Sequence, residues 1–328
     1  MRLDRGVSYA VDLRAIRAAE ARISGFVHRT PVLTCRALDE RYGRRLFLKG
    51  EHLQRGGAFK ARGAHNAILK LPRAVAARGV VTHSSGNHAQ AVALAARSRG
   101  VAAHIVMPSD APAVKQAAVR GYGAAMTLCE PTLQSREQTA CEVCLRTGGV
   151  FIPPYDHPDV IAGQGTMALE LLRQVPELDA IVAPVGGGGM VSGVALACRE
   201  LAPHVPVYAA EPAGADDAAR SRARGERIAS HTPHTEADGL RTTLGELTWP
   251  VVRDVVEDVL VVEEAAMIQA LRRVLERAKQ WIEPSAAVAV AACAQLPPER
   301  RRVGVILSGG NVDPLRLGRL LDGHASSG

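Results

Sequence analysis

Short apolar segments alternate with longer stretches of helical periodicity along most of the chain. GVVTH (79–83) precedes NHAQAVALAARSRG (87–100), AAHIVMP (102–108) precedes APAVKQAAVRGYG (111–123), and DAIVAPV (179–185) precedes MVSGVALACRELAP (190–203). VPVYAAE (205–211) and RVGVILSGG (302–310) complete the set. Apolar runs of this length read as strands, and strands that alternate with helices predict βαβ units around parallel sheets covered on both faces. The pattern therefore predicts a layered α/β fold. The segment 78–154 holds two complete strand-helix units and closes with FIPPYDHP, where three prolines interrupt regular structure. We place a small domain at 78–154 and one discontinuous large domain at 1–77 and 155–328, with a cleft between them.

Composition narrows the class of protein. The 328 residues are 47% hydrophobic and 22% charged, which excludes a disordered chain and leaves ample core. A formal charge of +7 comes with 3% aromatic residues and no dense basic run, so neither a base-stacking platform nor a nucleic-acid stripe is expected. No apolar run approaches the roughly 20 residues of a membrane span. The N-terminal MRLDRGVSYAVDLRAIRAAE lacks the apolar core of a signal peptide, and the terminal HASSG reads as a frayed tail. The six cysteines at 35, 129, 141, 144, 198 and 293 are scattered, which suits a reducing cytoplasm. Cys141 and Cys144 form a C-x-x-C pair in TACEVCLRTGG, an amphipathic helix with no second pair nearby to complete a metal site.

Five stretches carry chemistry. In GGAFKARGAHNA (56–67), Lys60 follows Phe59 inside a small-residue run. Read alone it is a solvated lysine at a helix start; as a nucleophile it would need burial, or cationic neighbours such as Arg55 and Arg62, to hold a neutral amine. HSSGNHAQ (83–90) brings Ser84, Ser85, Asn87 and His88 to a helix start, more polar groups than one cap requires, and such a turn suits a carboxylate or phosphate. PVGGGGMVSG (184–193) sets Gly186, Gly187, Gly188 and Gly189 before Met190, so backbone donors can converge on a phosphate without Cβ obstruction. No Gly-Lys-Ser/Thr ending follows, which disfavours a nucleoside triphosphate. A dinucleotide site is the rival, with Glu211 placed for a ribose, although the G-x-G-x-x-G register fails at Val191 and Ser192. In AAEPAGADDAARS (209–221), Glu211 and Asp217 read alone as solvated acids at a helix start. ILSGGNVDP (306–314) puts Ser308 at a strand end, where a hydroxyl can bond a ring nitrogen without forcing a proton onto it.

Together GAFKARGA, SSGNHAQA, PVGGGGM and SGGNVD resemble the fold-type II pyridoxal phosphate enzymes, particularly the serine/threonine dehydratases and serine racemase. The likeness runs from RTPV at 29–32 through SGGNVD, and implies a tryptophan-synthase-β-like α/β fold of two lobes, each a twisted, mostly parallel sheet flanked by helices. It implies that Lys60 forms the Schiff base with pyridoxal 5'-phosphate and then acts as base at Cα. Gly186 to Gly189 and Met190 would hold the phosphate, Asn87 the ring hydroxyl and Ser308 the ring nitrogen, with Phe59 and Glu283 of WIEPSAA beside the ring. Ser84, Ser85, Asn87 and His88 would grip the substrate carboxylate, and Ser85 matches the serine that gives the racemase branch its second proton donor. Ala58 stands where the family often has serine, which removes one hydroxyl contact.

Further expectations rest on the same resemblance. EPAGADD matches a divalent-metal loop, with Glu211, the Ala215 carbonyl and Asp217 binding Mg²⁺, Mn²⁺ or Ca²⁺. Arg136 in CEPTLQSREQT matches an arginine near the substrate entrance, and Thr242 lies in TPHTEADGLRTTLGELTWP, which resembles a loop that closes on substrate. His231 and His234 read as loop surface. The implied activity is an ammonia-lyase converting L-threonine, L-serine or threo-3-hydroxyaspartate to a 2-oxo acid and ammonia, with an amino-acid racemase as the alternative and a nicotinamide-dependent oxidoreductase further off. Tyr155 in PPYD favours the lyase, and no isoleucine-sensing C-terminal domain follows SGGNVD. The expected partners are a small amino-acid substrate and a second copy of the chain in a homodimer, with no nucleic acid or membrane.

Overall fold

The computed structural model describes residues 8–111 and 113–322, so the extreme N-terminus and the HASSG tail lie outside the described residues. Ten strands form two sheets: β1 (Val32–Leu33), β2 (Arg45–Lys49), β3 (Val80–His83), β4 (Ala103–Pro108), β5 (Ala125–Cys129), β6 (Val150–Phe151), β7 (Ala180–Pro184), β8 (Val207–Pro212), β9 (Asp258–Val262) and β10 (Arg302–Ile306). The larger sheet has the order β1-β2-β10-β7-β8-β9 and the smaller β5-β4-β3-β6. Every pairing is parallel except β1 with β2. The central strand β7 is buried at all five positions, as expected for a parallel strand with helices on both faces.

Short strands such as β1 and β6 carry too few residues for an apolar period, and the sequence pattern passes over them. One helix before residue 77 packs on both sides of the cleft. The helix Lys60–Lys70 buries Ala64, Ala67 and Ile68 in the same hydrophobic cluster as Val80 of β3, Ile105 of β4 and Val92 of the helix Asn87–Arg99. Its small side chains let it approach closely there, and its other face packs against the helix Pro158–Gln174, so it bridges the two lobes.

One long helix, Pro158–Gln174, sets the distance between the site's two main parts. A Cβ on Gly163 would lie 2.6 Å from the Gly63 Cα, and one on Gly193 would lie 2.6 Å from the Gly165 nitrogen. The helix therefore touches the Lys60–Lys70 helix through one glycine pair and the Gly189–Leu201 helix through another, backbone against backbone. These two helices begin at Lys60 and at the glycine loop.

Behind Lys60 lies a buried ion network. Arg62 donates from Nε and Nη2 to the Glu51 carboxylate at 2.8 and 2.8 Å, and from Nη1 and Nη2 to Glu170 at 2.7 and 2.9 Å. Lys49 Nζ donates to Glu170 at 2.6 Å, to the Thr30 carbonyl at 2.8 Å and to Gln174 at 2.9 Å. Two cations thus meet two anions, with only the Glu170 side chain, 11% exposed, reaching solvent.

Candidate active site

The loops singled out above lie at the carboxyl ends of parallel strands, where ligands of open α/β sheets bind. SSGN follows β3, the glycine loop follows β7, and SGG follows β10. Lys60 opens its helix in the cleft, its Nζ donating to the Pro154 carbonyl at 2.7 Å and lying 5.0 Å from the centre of the Phe59 ring. Burial lowers its pKa to about 8, against the opposing pull of Glu283. The cationic neighbours invoked from the sequence do not act on it: Arg62 is spent on Glu51 and Glu170, and Arg55 is exposed. Desolvation alone keeps a neutral amine within reach.

A glycine cradle follows β7. A Cβ on Gly187 would lie 2.3 Å from the Tyr155 ring, and one on Gly188, at φ +85°, would lie 2.7 Å from the Thr248 side chain. No bulkier residue fits against that wall. Among the described residues, the N–H groups of Gly186, Gly187, Gly188, Gly189 and Met190 have no protein acceptor, while Ser192 N–H already bonds the Gly188 carbonyl. Five free donors at the start of a 13-residue helix fit a phosphate group. Thr242 is exposed at the rim, its hydroxyl 3.1 Å from where a Gly186 Cβ would stand.

Opposite, Ser308 is buried and its carbonyl accepts from Phe59 N–H at 3.0 Å, so it is fixed beside the lysine segment. Ala58 pairs with Gly309 in an antiparallel bridge. Asn87 donates to both oxygens of Glu283 at 2.9 and 3.1 Å and accepts from Asn311 at 2.9 Å. Burial pushes the Glu283 carboxyl up to about 7, helped by the charge of Asp238. Asn311 lies in the SGGNVD motif, three residues beyond Ser308, and nothing in the motif itself points to it. Its role becomes visible once folding brings residue 311 against residue 87.

Ser84 Oγ accepts from Gly86 N–H at 3.2 Å, and Ser85 is half-buried. His88 is a correction: its ring is buried, Nε2 lies 2.9 Å from the Ile152 carbonyl, and burial lowers its pKa to about 3. A neutral imidazole turned toward the core cannot grip a carboxylate; its backbone N–H in the first helical turn remains for that purpose. Arg136 is half-buried, bonds the Thr132 carbonyl at 3.3 Å, and lends its charge to His83, whose pKa falls to about 4 chiefly through burial. His83 stacks on Phe151 at 5.4 Å, immediately before the serine turn.

Beyond β8, Glu211 is 1% exposed and accepts from Ala218 and Ala219 N–H at 3.2 and 2.7 Å. Asp217 is 1% exposed and accepts from Leu244 N–H at 3.2 Å. Burial pushes the two carboxyls up to about 8 and about 6. These are not the solvated acids of a bare sequence reading. Among the described residues no three His, Cys, Asp or Glu side chains are arranged to hold a metal ion; a hard cation here would also take the Ala215 carbonyl and water. His231 corrects another expectation, since it is not loop surface: its side chain is 9% exposed and Nε2 lies 3.8 Å from Asp217. His234 is exposed, as expected. Cys141 is exposed and Cys144 half-buried on the helix Leu133–Thr147, and all six cysteines are free.

A two-sheet α/β frame with a desolvated lysine, a cradle of free N–H groups and a buried serine defines the class of cofactor-dependent enzymes that work through a lysine amine. Residues 23–309 match the model of the pyridoxal-phosphate dependent enzymes, and the chain belongs to that family. It is 50% identical to a serine racemase of Arabidopsis thaliana over 97% of this chain and 98% of that protein. It is 48% identical to a β-hydroxyaspartate dehydratase of Paracoccus denitrificans over 90% and 95% of the two chains. The structure of maize serine racemase superimposes with a TM-score of 0.93 at 48% identity, covering 96% of this chain and 98% of that one. Family membership sets aside the nicotinamide alternative. No helix among the described residues is long and apolar enough to cross a membrane.

Proposed function

We propose that this chain is an ammonia-lyase acting on L-hydroxyamino acids, with threo-3-hydroxyaspartate, L-serine and L-threonine as its substrate class. The observation that carries the reading is the desolvated Lys60 amine, bonded to Pro154 beside the Tyr155 ring that walls the glycine cradle, on a segment whose Phe59 N–H is fixed to the Ser308 carbonyl. Pyridoxal phosphate, when bound, supplies an electron sink for charge developing at the substrate Cα. The N–H groups of Gly186 to Met190 would hold its phosphate, and Ser308 would meet its ring nitrogen without imposing a proton. Asn87, fixed by Glu283 and Asn311, would contact its ring hydroxyl. Ser84, Ser85, Asn87 and the His88 N–H bind the substrate carboxylate. Lys60 removes the Cα proton; water leaves from Cβ, and hydrolysis of the resulting enamine gives a 2-oxo acid and ammonia.

The positive charge of Arg136 beside His83 supports a second carboxylate on the substrate, consistent with the dehydratase relative's name. A racemase reading draws on Ser85, whose hydroxyl has no partner among the described residues and could return a proton to the opposite face of Cα. Incubation with each L-substrate, assaying 2-oxo acid and D-isomer together, tests both readings. Keto acid in excess supports the lyase; D-isomer in excess replaces it with the racemase.

Two further results follow from the same site. Covalent capture of pyridoxal phosphate by the cofactor-free protein, trapped with borohydride, should rise with pH with a midpoint of about 8, because the neutral Lys60 amine attacks. A midpoint near 10.5, the ordinary lysine value, would show that burial does not act on it. A divalent cation bound at Glu211, the Ala215 carbonyl and Asp217 would neutralise two buried acids whose carboxyls burial pushes up. Mg²⁺, Mn²⁺ or Ca²⁺ at a hundred times its dissociation constant should stabilise the protein by about 2.7 kcal/mol. Thermal unfolding after chelation reads this, and an unmoved midpoint would count against the cation.

A further inference from the structure

One ion pair crosses the cleft. Lys115, on the helix Ala113–Gly121 that packs against β5 and the helix Asn87–Arg99 of the smaller lobe, donates from Nζ to Asp238 Oδ2 of the larger lobe at 2.9 Å. Among the described residues, no other ion pair joins the segment 78–154 to the rest of the chain. The two side chains are 20% and 25% exposed, so water screens the pair only in part.

Asp238 lies on a segment that ends at the rim of the glycine cradle. Arg316 fixes its start, donating to the Glu236 carbonyl and carboxylate at 2.9 and 2.8 Å and standing 3.4 Å from Asp238. Gly239 N–H donates to Ser285 Oγ at 3.0 Å, and a Cβ on Gly186 would lie 3.0 Å from the Leu240 Cα and 3.1 Å from the Thr242 hydroxyl. Lys115 reaches this segment from the lobe that carries Ser84 and Ser85.

We propose that Lys115 is a positioning residue: through Asp238 it holds the Thr242 segment and the serine turn against each other, in the arrangement that encloses an amino-acid substrate. This deepens the reading of the site above and rests on it. The bond exists only with the lobes together, so it favours that arrangement over an opened one by its own free energy. A substrate contacting both lobes completes the closure. Without the ion pair the substrate must supply that free energy itself, which weakens binding but leaves the enclosed complex, and hence the chemistry, unchanged.

Lys115→Met should raise KM by about tenfold for the substrate that wild type turns over fastest, as one charge-assisted hydrogen bond is lost, with kcat within about twofold. Lys115→Arg keeps the charge and should restore most of the loss. Asp238→Asn should raise KM as well, and the double variant no further than the larger single effect. Agreement of the two single variants separates the bond from the local field. Glu283, raised chiefly by burial, is pushed up by Asp238 and pulled down by Lys115, so an effect carried by Glu283 would move KM in opposite directions in the two. Hydrogen exchange of the cofactor-loaded enzyme without substrate needs no turnover, and amides 236–242 should exchange about tenfold faster in Lys115→Met. Unchanged exchange there, opposite KM shifts, or additive losses in the double variant overturn the proposal. Wild type that makes neither keto acid nor D-isomer overturns the functional reading instead, and exchange still decides the role of Lys115.

Discussion

Lys60→Ala is expected to lower turnover by at least about 10⁴-fold, for keto acid and D-isomer alike. The same variant should carry no borohydride-fixed pyridoxal phosphate. Both losses have one origin, since the amine that would hold the cofactor is also the group placed to move the Cα proton. The fold should survive, because the Lys60 side chain makes one hydrogen bond, to the Pro154 carbonyl. Intact circular dichroism with lost turnover is therefore the expected pair of results. Residual turnover within about tenfold of wild type would move the proton transfer to another residue.

Arg62→Met is expected to cost about 3–5 kcal/mol in urea unfolding of the cofactor-loaded enzyme. The side chain is 0% exposed, and its removal leaves Glu51 and Glu170 with Lys49 as their one buried cation. Glu51 keeps a 2.6 Å bond from the Thr30 hydroxyl, which offsets little of a stranded negative charge. A Glu51→Met, Arg62→Met double variant keeps the Lys49–Glu170 pair whole and should recover much of the loss. A single-variant cost below about 1 kcal/mol would mean that water reaches these carboxylates. Because Arg62 lies in the first turn of the Lys60 helix, the single variant should lose activity as well as stability.

The sequence carried the frame and the main parts of the site, for identifiable reasons. Strands such as β7 and β10 are continuous apolar runs buried on both faces, and the glycine loop and serine turn are contiguous motifs. Contacts between distant segments were not legible. Nothing around residue 62 announces Glu51 and Glu170, so Arg62 passed for a neighbour that would depress the Lys60 pKa. His88 passed for a substrate contact because its rotation toward the Ile152 carbonyl is set by packing. His231 passed for surface because its burial depends on the close approach of the His234 carbonyl to Gly214. In each case the residue type was visible, but the direction of its side chain was decided by a partner far along the chain.

The two glycine pairs along Pro158–Gln174 have a mechanical consequence. Lys60 and the phosphate cradle are spaced by backbone touching backbone, an arrangement without side-chain rotamers to yield and therefore of low compliance. The rim is less enclosed: Thr242 is exposed and the turn after β3 is half-buried, so adjustment to a substrate falls there. A stiff chassis carrying a compliant rim allows the rim to be retuned for a different amino acid while the spacing between amine and phosphate stays constant.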